Sequence, residues 1–412
     1  MTHTTLIRHI KDFQLKGIKQ SSDGDNLNMV MRKRKIVSLS QDGTEILCKI
    51  VDELQKHYNI GSLISNKQLE KYFLDDFFSI LIKESTSERY LIKKIDKFVS
   101  RIKELVHSRF TLAIPISGLV VKKDFNVLNY KIISKSKFIN YYKTSFQHKD
   151  LEREYKHMLE CGESIAIIED FGDKNSIKEK HIAELDLALN SVRLFIPQFW
   201  HHVYQVQISI TTKKIFQDNI CYVFDKKELK GIQNSVSSRQ HSLSIDEKRT
   251  HKHKYTIRTF MKKYNFEKLN KILLEDNKIS ILLKNSLKWI GLYTKEKDVN
   301  LKFLFLIFSL EGIFINEQNN YSTITASISE KVALLINKKE VDRIATFKLL
   351  KKYYEKRSSI VHGSTDILSE SDLFNLYNIT INVYYCLPDI IIKNKITSLE
   401  KINDYFLSLK FK

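Results

Sequence analysis

The sequence predicts an α+β N-terminal region followed by an all-α helical bundle. Three observations predict it. Apolar residues recur at helical spacing from Thr44 to about Arg109, and between Phe110 and Phe224 short strand-like runs surround one amphipathic helix. From Phe260 to the last residue the patterns are helical almost throughout. Strands mixed with helices ahead of an unbroken helical run give three parts. Residues 1–109 are mainly helical, 110–255 combine sheet and helix as a sensing or regulatory region ending in a polar linker, and 256–412 form the helical part that carries the chemistry.

Up to about residue 40 the chain holds Ser21-Ser22-Asp23-Gly24-Asp25 and the basic run Arg32-Lys33-Arg34-Lys35, with little sustained period. Such a run can hold phosphate, but a solvated edge explains it more simply. Ile46, Ile50, Leu54 and His57 are spaced by three or four, as on one helix face. Ser65 is placed to cap the next helix, whose Tyr72, Phe73, Phe77 and Phe78 form a candidate core cluster.

The period changes at Phe110. Thr111 to Val121 reads as a strand with an edge or bulge at Pro115, and Val127 to Ile133 as its partner. Ser164 to Glu169 is a further strand, Ser176 to Phe195 a helix on Ile182, Leu185, Leu189 and Val192, and Val203 to Ile210 and Ile220 to Phe224 two more strands. Glu169, Asp170 and Asp173 beside Gly172 offer a metal site on paper, and Asp170-Phe171-Gly172 mimics a kinase element. The glycine-rich loop and catalytic loop that phosphoryl transfer needs are missing from the sequence, so a strand-to-helix turn accounts for these residues with less effort. Gln233 to Gln240 is polar and aperiodic, the best linker candidate. His241, His251 and His253 follow in a basic surround without cysteine, which reads as a solvated loop rather than a metal site.

In the last part the periodicity predicts helices over Leu269 to Leu283, extended to Trp289, then Leu301 to Phe314, Ala326 to Ile336, Asp342 to Val361 and Ser371 to Tyr385. Pro388 should punctuate the last of these, ahead of a short C-terminal helix. Short connections argue for an up-and-down bundle. Phe347, Leu350, Tyr354 and Val361 share one stripe of the fourth helix, and Arg357 occupies a stripe position where an apolar residue would be the default. His362 follows, and Gly363 stands where a left-handed C-terminal cap belongs. A guanidinium on an apolar stripe needs a partner or an interface, and an imidazole beside it can accept and return a proton.

Composition bounds the partners. With 68 basic and 48 acidic residues among 412, the formal charge is +20, which predicts attraction to polyanions and makes nucleic acid the obvious candidate. The richest apolar run, Phe303 to Phe314, is shorter than the roughly twenty residues a bilayer needs. Met1 to Arg8 lacks the apolar core of a secretory signal, so a cytoplasmic protein with no membrane partner is expected. Cys48, Cys161, Cys221 and Cys386 lie far apart, expected to be reduced and mostly buried.

The run Arg357-Ser358-Ser359-Ile360-Val361-His362-Gly363 resembles the arginine-to-histidine motif of the HEPN superfamily, and its surroundings resemble the ApeA-like branch. The likeness extends over Leu287-Lys288-Trp289-Ile290, over the apolar helix holding Ser309-Leu310-Glu311-Gly312, and over Ser327 to Leu335. Arg101 to His107 offers the same two residue types without that context and reads as a solvated basic helix face. The resemblance implies a HEPN-like bundle and a metal-independent endoribonuclease that needs no cofactor. Arg357, His362, Glu311 and Ser358 are its implied catalytic residues, although many family members have Asn where this chain has Ser358. In the family arrangement Arg357 is the candidate partner for Glu311, against the alternative that Glu311 reaches solvent through a gap. Implied partners are RNA, with tRNA and mRNA as candidate forms, a second copy through the C-terminal helices, and a phage-derived trigger in abortive anti-phage defence. Two alternatives stand beside it: an RNA-binding or regulatory module that has lost catalysis, and a scaffold in which Arg357 pairs with Glu311 while His362 caps the helix.

Overall fold

Where each helix starts is set by short polar side chains, and which face it buries by apolar spacing. The computed structural model describes residues 2–16, 18–19, 29–32, 35–58, 63–81, 86–142, 163–196, 208–210, 219–225, 228–235, 243–247, 256–315, 321–363 and 368–411. An α+β N-terminal part is followed by a helical C-terminal part. The chain divides into two compact units, 1–112 with 169–182, and 113–168 with 183–412. Among the described residues no helix is long and apolar enough to cross a membrane.

The first unit holds α1 (Thr2–Lys16), the strands β1 (Ile18–Lys19), β2 (Met29–Arg32) and β3 (Lys35–Leu39) in the antiparallel order β1-β3-β2, and the helices α2 (Gln41–Tyr58), α3 (Asn66–Leu81) and α4 (Glu88–Val106). Ser40 Oγ accepts the Gly43 N–H at 2.8 Å and Ser65 Oγ that of Gln68 at 3.3 Å, so each serine satisfies a donor that its helix leaves open. Phe73 stacks on Phe77 with ring centroids 4.4 Å apart and Phe98 meets both edge-on, which makes the aromatic cluster the centre of this core. The sequence reading passed over α1, whose Leu6, Ile7, Ile10 and Phe13 are all buried. His57, by contrast, is exposed and bridges to Glu53 at 2.5 Å rather than facing the core.

The acidic cluster near Gly172 is a turn. Asp173 is buried; its Oδ2 accepts from Ser176 N at 2.9 Å, Ser176 Oγ at 3.0 Å and Asn175 N at 3.1 Å, and its Oδ1 from Tyr72 OH at 2.5 Å. Gly172 has φ +146°, and a Cβ there would press on the Leu63 carbonyl. Asp173 thus divides its acceptors: Oδ2 starts the helix and Oδ1 ties it to Tyr72 of α3.

In the second unit a five-stranded sheet runs in the order β6-β7-β8-β4-β9, with β4 (Arg109–Ser117), β6 (Phe125–Val127), β7 (Tyr130–Ser134), β8 (Ser164–Phe171) and β9 (Ser209–Ile210). The segment expected to pair with β4 is β7, but β7 pairs with β6 and β8, with Ile132 opposite Ala166. Its tight hairpin with β6, turning through Leu128 at φ 51°, settles one edge, and β8 takes the other. The short β5 (Leu119–Val120) runs parallel to β12 (Leu243–Ser244). Asn219–Asp225 (β10) and Glu228–Ser235 (β11) form an antiparallel hairpin, so the start of the expected linker is a paired strand. His241, His251, His253, Cys161 and residues 203–207 of an expected strand lie outside the described residues.

Helices follow: α6 (Lys174–Arg193) after α5 (Lys135–Tyr142), then α7 (Ile257–Lys263), α8 (Phe266–Leu274), α9 (Lys278–Lys295), α10 (Val299–Phe314), α11 (Tyr321–Ile336), α12 (Glu340–Val361), α13 (Glu370–Lys393) and α14 (Leu399–Lys410). The single helix expected from Leu269 to Trp289 is two, because Asn277 accepts the Ser280 N–H at 2.9 Å and starts α9 afresh. Pro388 does not end α13, which continues to Lys393. One turn before the proline, the Tyr385 carbonyl takes a hydrogen bond from Asn265 Nδ2 at 2.8 Å, a side-chain donor where the ring disturbs the helical ladder.

The packing corrects the expected division at residue 255. Ile114, Val127, Leu189 and Ile245 belong to the same hydrophobic cluster as Leu269, Leu310 and Tyr384. Tyr377 OH donates to the Leu194 carbonyl at 2.8 Å and Phe195 stacks on Tyr385 at 5.6 Å. Sheet and bundle therefore share one core. Arg193, 1% exposed, locks this junction: it donates to the Ile208 and Asp186 carbonyls, to Asp186 Oδ1 at 2.6 Å and to Asn190 Oδ1 at 2.5 Å. Gly291 of α9 lies flat against the Asn190 amide, and a Cβ there would overlap it. Gly291→Ala should cost about 1–3 kcal/mol through that overlap. Urea unfolding followed by circular dichroism checks it, and an unchanged midpoint would show that Asn190 yields freely.

Candidate active site

Helix α12 carries Arg357, Ser358 and, at its end, His362. Glu340 and Asp342 in the first turn suit the positive end of the helix dipole. At the other end the His362 N–H donates to the Ser358 carbonyl at 3.0 Å and the Gly363 N–H to that of Ile360 at 3.1 Å. Gly363 has φ +79°, which a residue with a side chain rarely adopts, so the glycine ends the helix and leaves His362 exposed. Leu350, Tyr353 and Tyr354 are buried and Phe347 partly so, whereas Val361 is 51% exposed. The apolar stripe thus stops near Arg357, short of the expected last member.

Helix α10 buries Phe303, Leu304, Leu306, Ile307, Ser309, Leu310, Ile313 and Phe314, which leaves almost no face for solvent. Its one carboxylate is Glu311. Phe303 meets Tyr353 of α12 edge-on at 5.6 Å, and this packing brings Arg357 Nε to 3.7 Å from Glu311 Oε1, with both side chains less than a fifth exposed. The guanidinium also lies over the Phe308 ring at 5.7 Å. Burial pushes the Glu311 carboxyl up and the Arg357 charge pulls it only part of the way back. The physical reason is the separation: an ion pair at that distance keeps Coulomb attraction without the gain of a short charge-assisted hydrogen bond.

Three further features fix the site, and sequence reasoning missed them. Ser286 Oγ donates to the Ser309 carbonyl at 2.5 Å, and Ser286, Ser309 and Tyr384 hydroxyls bond one another at 2.5–3.0 Å inside the core, setting α10 against α9 and α13. Burial pushes the Tyr384 hydroxyl up to about 12, so it stays neutral. Lys356, one residue before Arg357, donates to Asp372 Oδ2 at 2.6 Å, and Asp372 completes a capping box with Ser369 at the start of α13. Burial would raise the Asp372 carboxyl, but the Lys356 and Ser369 bonds outweigh it and hold the group below the usual range. The Ser-x-x-Asp spacing was the available signal for the cap, while the lysine partner had none.

Arg357 and Glu311 therefore meet at the end of the packed part of α12; half-buried Ser358 follows Arg357 in the chain, and His362 stands in solvent one turn beyond Ser358. An exposed imidazole, an oriented guanidinium and a hydroxyl donor suit proton transfer at an anion such as a phosphodiester. Among the described residues no group of three or more His, Cys, Asp and Glu is placed to hold a metal ion. Arg101 pairs with Asp76 at 3.0 Å and His107 Nδ1 lies 2.6 Å from the Lys103 carbonyl, local contacts of an exposed face of α4. Cys48 is exposed and Cys386 partly buried, so the expectation of mostly buried thiols fails at Cys48. Comparison with protein-family models, with curated proteins and with solved structures finds no match to this chain.

The raised Glu311 carboxyl predicts a pH effect on stability. The folded state holds this proton more tightly than the unfolded chain, so the contribution is full below about pH 4.3, the free carboxyl value, and is lost as pH rises through the raised folded value. Glu311→Gln should flatten that decline. Urea midpoints from about pH 4 to 8 for both proteins give the test, and parallel curves would refute it.

Proposed function

We propose that this chain is a metal-independent endoribonuclease of the HEPN type, with Arg357, His362, Glu311 and Ser358 as its site, acting in the cytoplasm in anti-phage defence by abortive infection. The observation that carries the reading is the placement of Arg357 against buried Glu311, just ahead of a glycine-terminated helix end that presents His362 to solvent. RNA supplies its own nucleophile, the 2′-hydroxyl, so the protein must remove one proton, steady the charge that builds at phosphorus, and return a proton to the leaving 5′-oxygen. His362 serves as base or acid, and Arg357 steadies the phosphate. Glu311 aims the guanidinium from below. Ser358, one turn before His362 and on the same helix face, offers a hydroxyl to a phosphate oxygen.

One imidazole fills one proton role at a time. A second copy, joined through the C-terminal helices so that two motifs share a cleft, would supply the other. The formal charge of +20 supports an RNA substrate, with tRNA and mRNA as candidates. The α+β part shares its core with the helices, so a phage-derived signal bound there would reach the site through packed side chains. A second reading has its own support: Arg357 already faces a carboxylate and His362 caps the helix, the arrangement of a structural scaffold.

Incubating the full-length protein with total RNA in chelator decides between them. Wild type should cut RNA, leave 2′,3′-cyclic phosphate ends and spare DNA. His362→Ala should lower the rate by about 10²–10⁴-fold with little change in melting temperature. Arg357→Ala should lose activity and also melt earlier, because Glu311 loses its counter-charge. Full activity in a folded His362→Ala protein would refute the mechanism.

A further inference from the structure

Three large aromatic side chains, one of them in contact with Arg357, are only partly buried. Trp289 of α9 and Phe305 and Phe308 of α10 are each partly exposed. Their rings are contiguous: Trp289 lies 5.8 Å from Phe305 at an interplanar angle of 26°, and 5.0 Å from Phe308. Phe308 in turn underlies the Arg357 guanidinium at 5.7 Å. Phe303, on the same helix, shows the contrast, being fully buried against Tyr353. A solvent-facing run of π-surfaces that ends on a guanidinium has both parts of a single-strand nucleic-acid site, faces for bases and a charge for phosphate.

We propose that Trp289, Phe305 and Phe308 form a stacking platform for the bases of a single RNA strand and lead its phosphate to Arg357. The proposal rests on the ribonuclease reading and adds the part that holds the substrate. Charge selects this occupant over a second copy of the chain. Helix α9 carries Lys278, Lys284, Lys288 and Lys295 and no carboxylate, and Lys288, next to Trp289, is exposed. A twofold contact through this face would set the lysine-rich helix against its own copy, whereas an RNA backbone complements it.

The test uses full-length Trp200→Phe protein, in which Trp289 is the one remaining tryptophan. It is titrated with a 2′-O-methyl uridine oligonucleotide, which cannot be cut, and with an abasic strand of equal length and charge. The uridine strand should quench Trp289 fluorescence, and Trp289→Ala should weaken its binding by about five- to 150-fold, the equivalent of roughly 1–3 kcal/mol for a lost base stack. Trp289→Phe should restore most of the affinity, and all variants should bind the abasic strand alike. Phe305→Ala, read by fluorescence anisotropy of labelled strands, gives the same comparison should the tryptophan variants fold poorly. Equal losses on both strands, or no loss on either, would overturn the platform. So would a Trp289→Ala protein that turns from dimer to monomer with its RNA affinity intact. The two readings fail separately: wild type that cuts RNA without base-dependent binding sinks only the platform, and base-dependent binding without cleavage sinks only the nuclease.

Discussion

A helix buried on nearly every side can carry a carboxylate only if a positive charge is brought to it. That constraint on α10 organises the C-terminal part of this protein. Glu311 sits among apolar residues on a helix whose register is fixed through the Ser286, Ser309 and Tyr384 hydroxyls, and its side chain keeps only 15% exposure. The neighbouring α12 must then present Arg357 at one particular turn, and the Lys356 bond to Asp372 and the buried Tyr353 and Tyr354 hold that turn in place. Removing one member of the pair would cost more than the pair contributes, because the mostly buried charge left behind loses this counter-charge.

The same constraint explains the division of labour along α12. Its middle is packed, its end is not, and the change falls between Tyr354 and Val361. Arg357 sits at that border, with its Nε toward Glu311 and its guanidinium over the Phe308 ring. His362 lies past it, kept in solvent by a left-handed glycine that stops the helix before the imidazole could be drawn into the core. A half-buried guanidinium and an exposed imidazole thus stand on the two sides of that border.

The sheet is bound into this arrangement rather than appended to it. Arg193 closes the end of α6 by satisfying the Ile208 and Asp186 carbonyls, Asn190 braces it, and Gly291 gives Asn190 room against α9. Tyr377 and Tyr385 of α13 carry the contact onward to Leu194 and Phe195. Displacement at the sheet would therefore reach α9 and α13, the two helices that share the hydroxyl cluster with α10.

Much of the local structure was legible in the residues themselves. Ser65, Gly363, the Phe73 and Phe77 cluster and the turn at Asp173 each act through contacts a few residues away or through a face with a clear period, and short-range chemistry is written in short-range spacing. The apolar character of α10 and the oddity of Arg357 on a stripe were equally visible. Only the tertiary structure decided what covers each face: that β8 lies between β7 and β4, that α13 runs through Pro388 with Asn265 at hand, that Ile114, Val127, Leu189 and Ile245 share one core with the helices, and that Lys356 meets Asp372. A sequence states which side of an element is apolar. Which other element buries it is chosen by shape and by the few polar groups that must find partners in the same place, and those choices join residues from 16 to 183 positions apart.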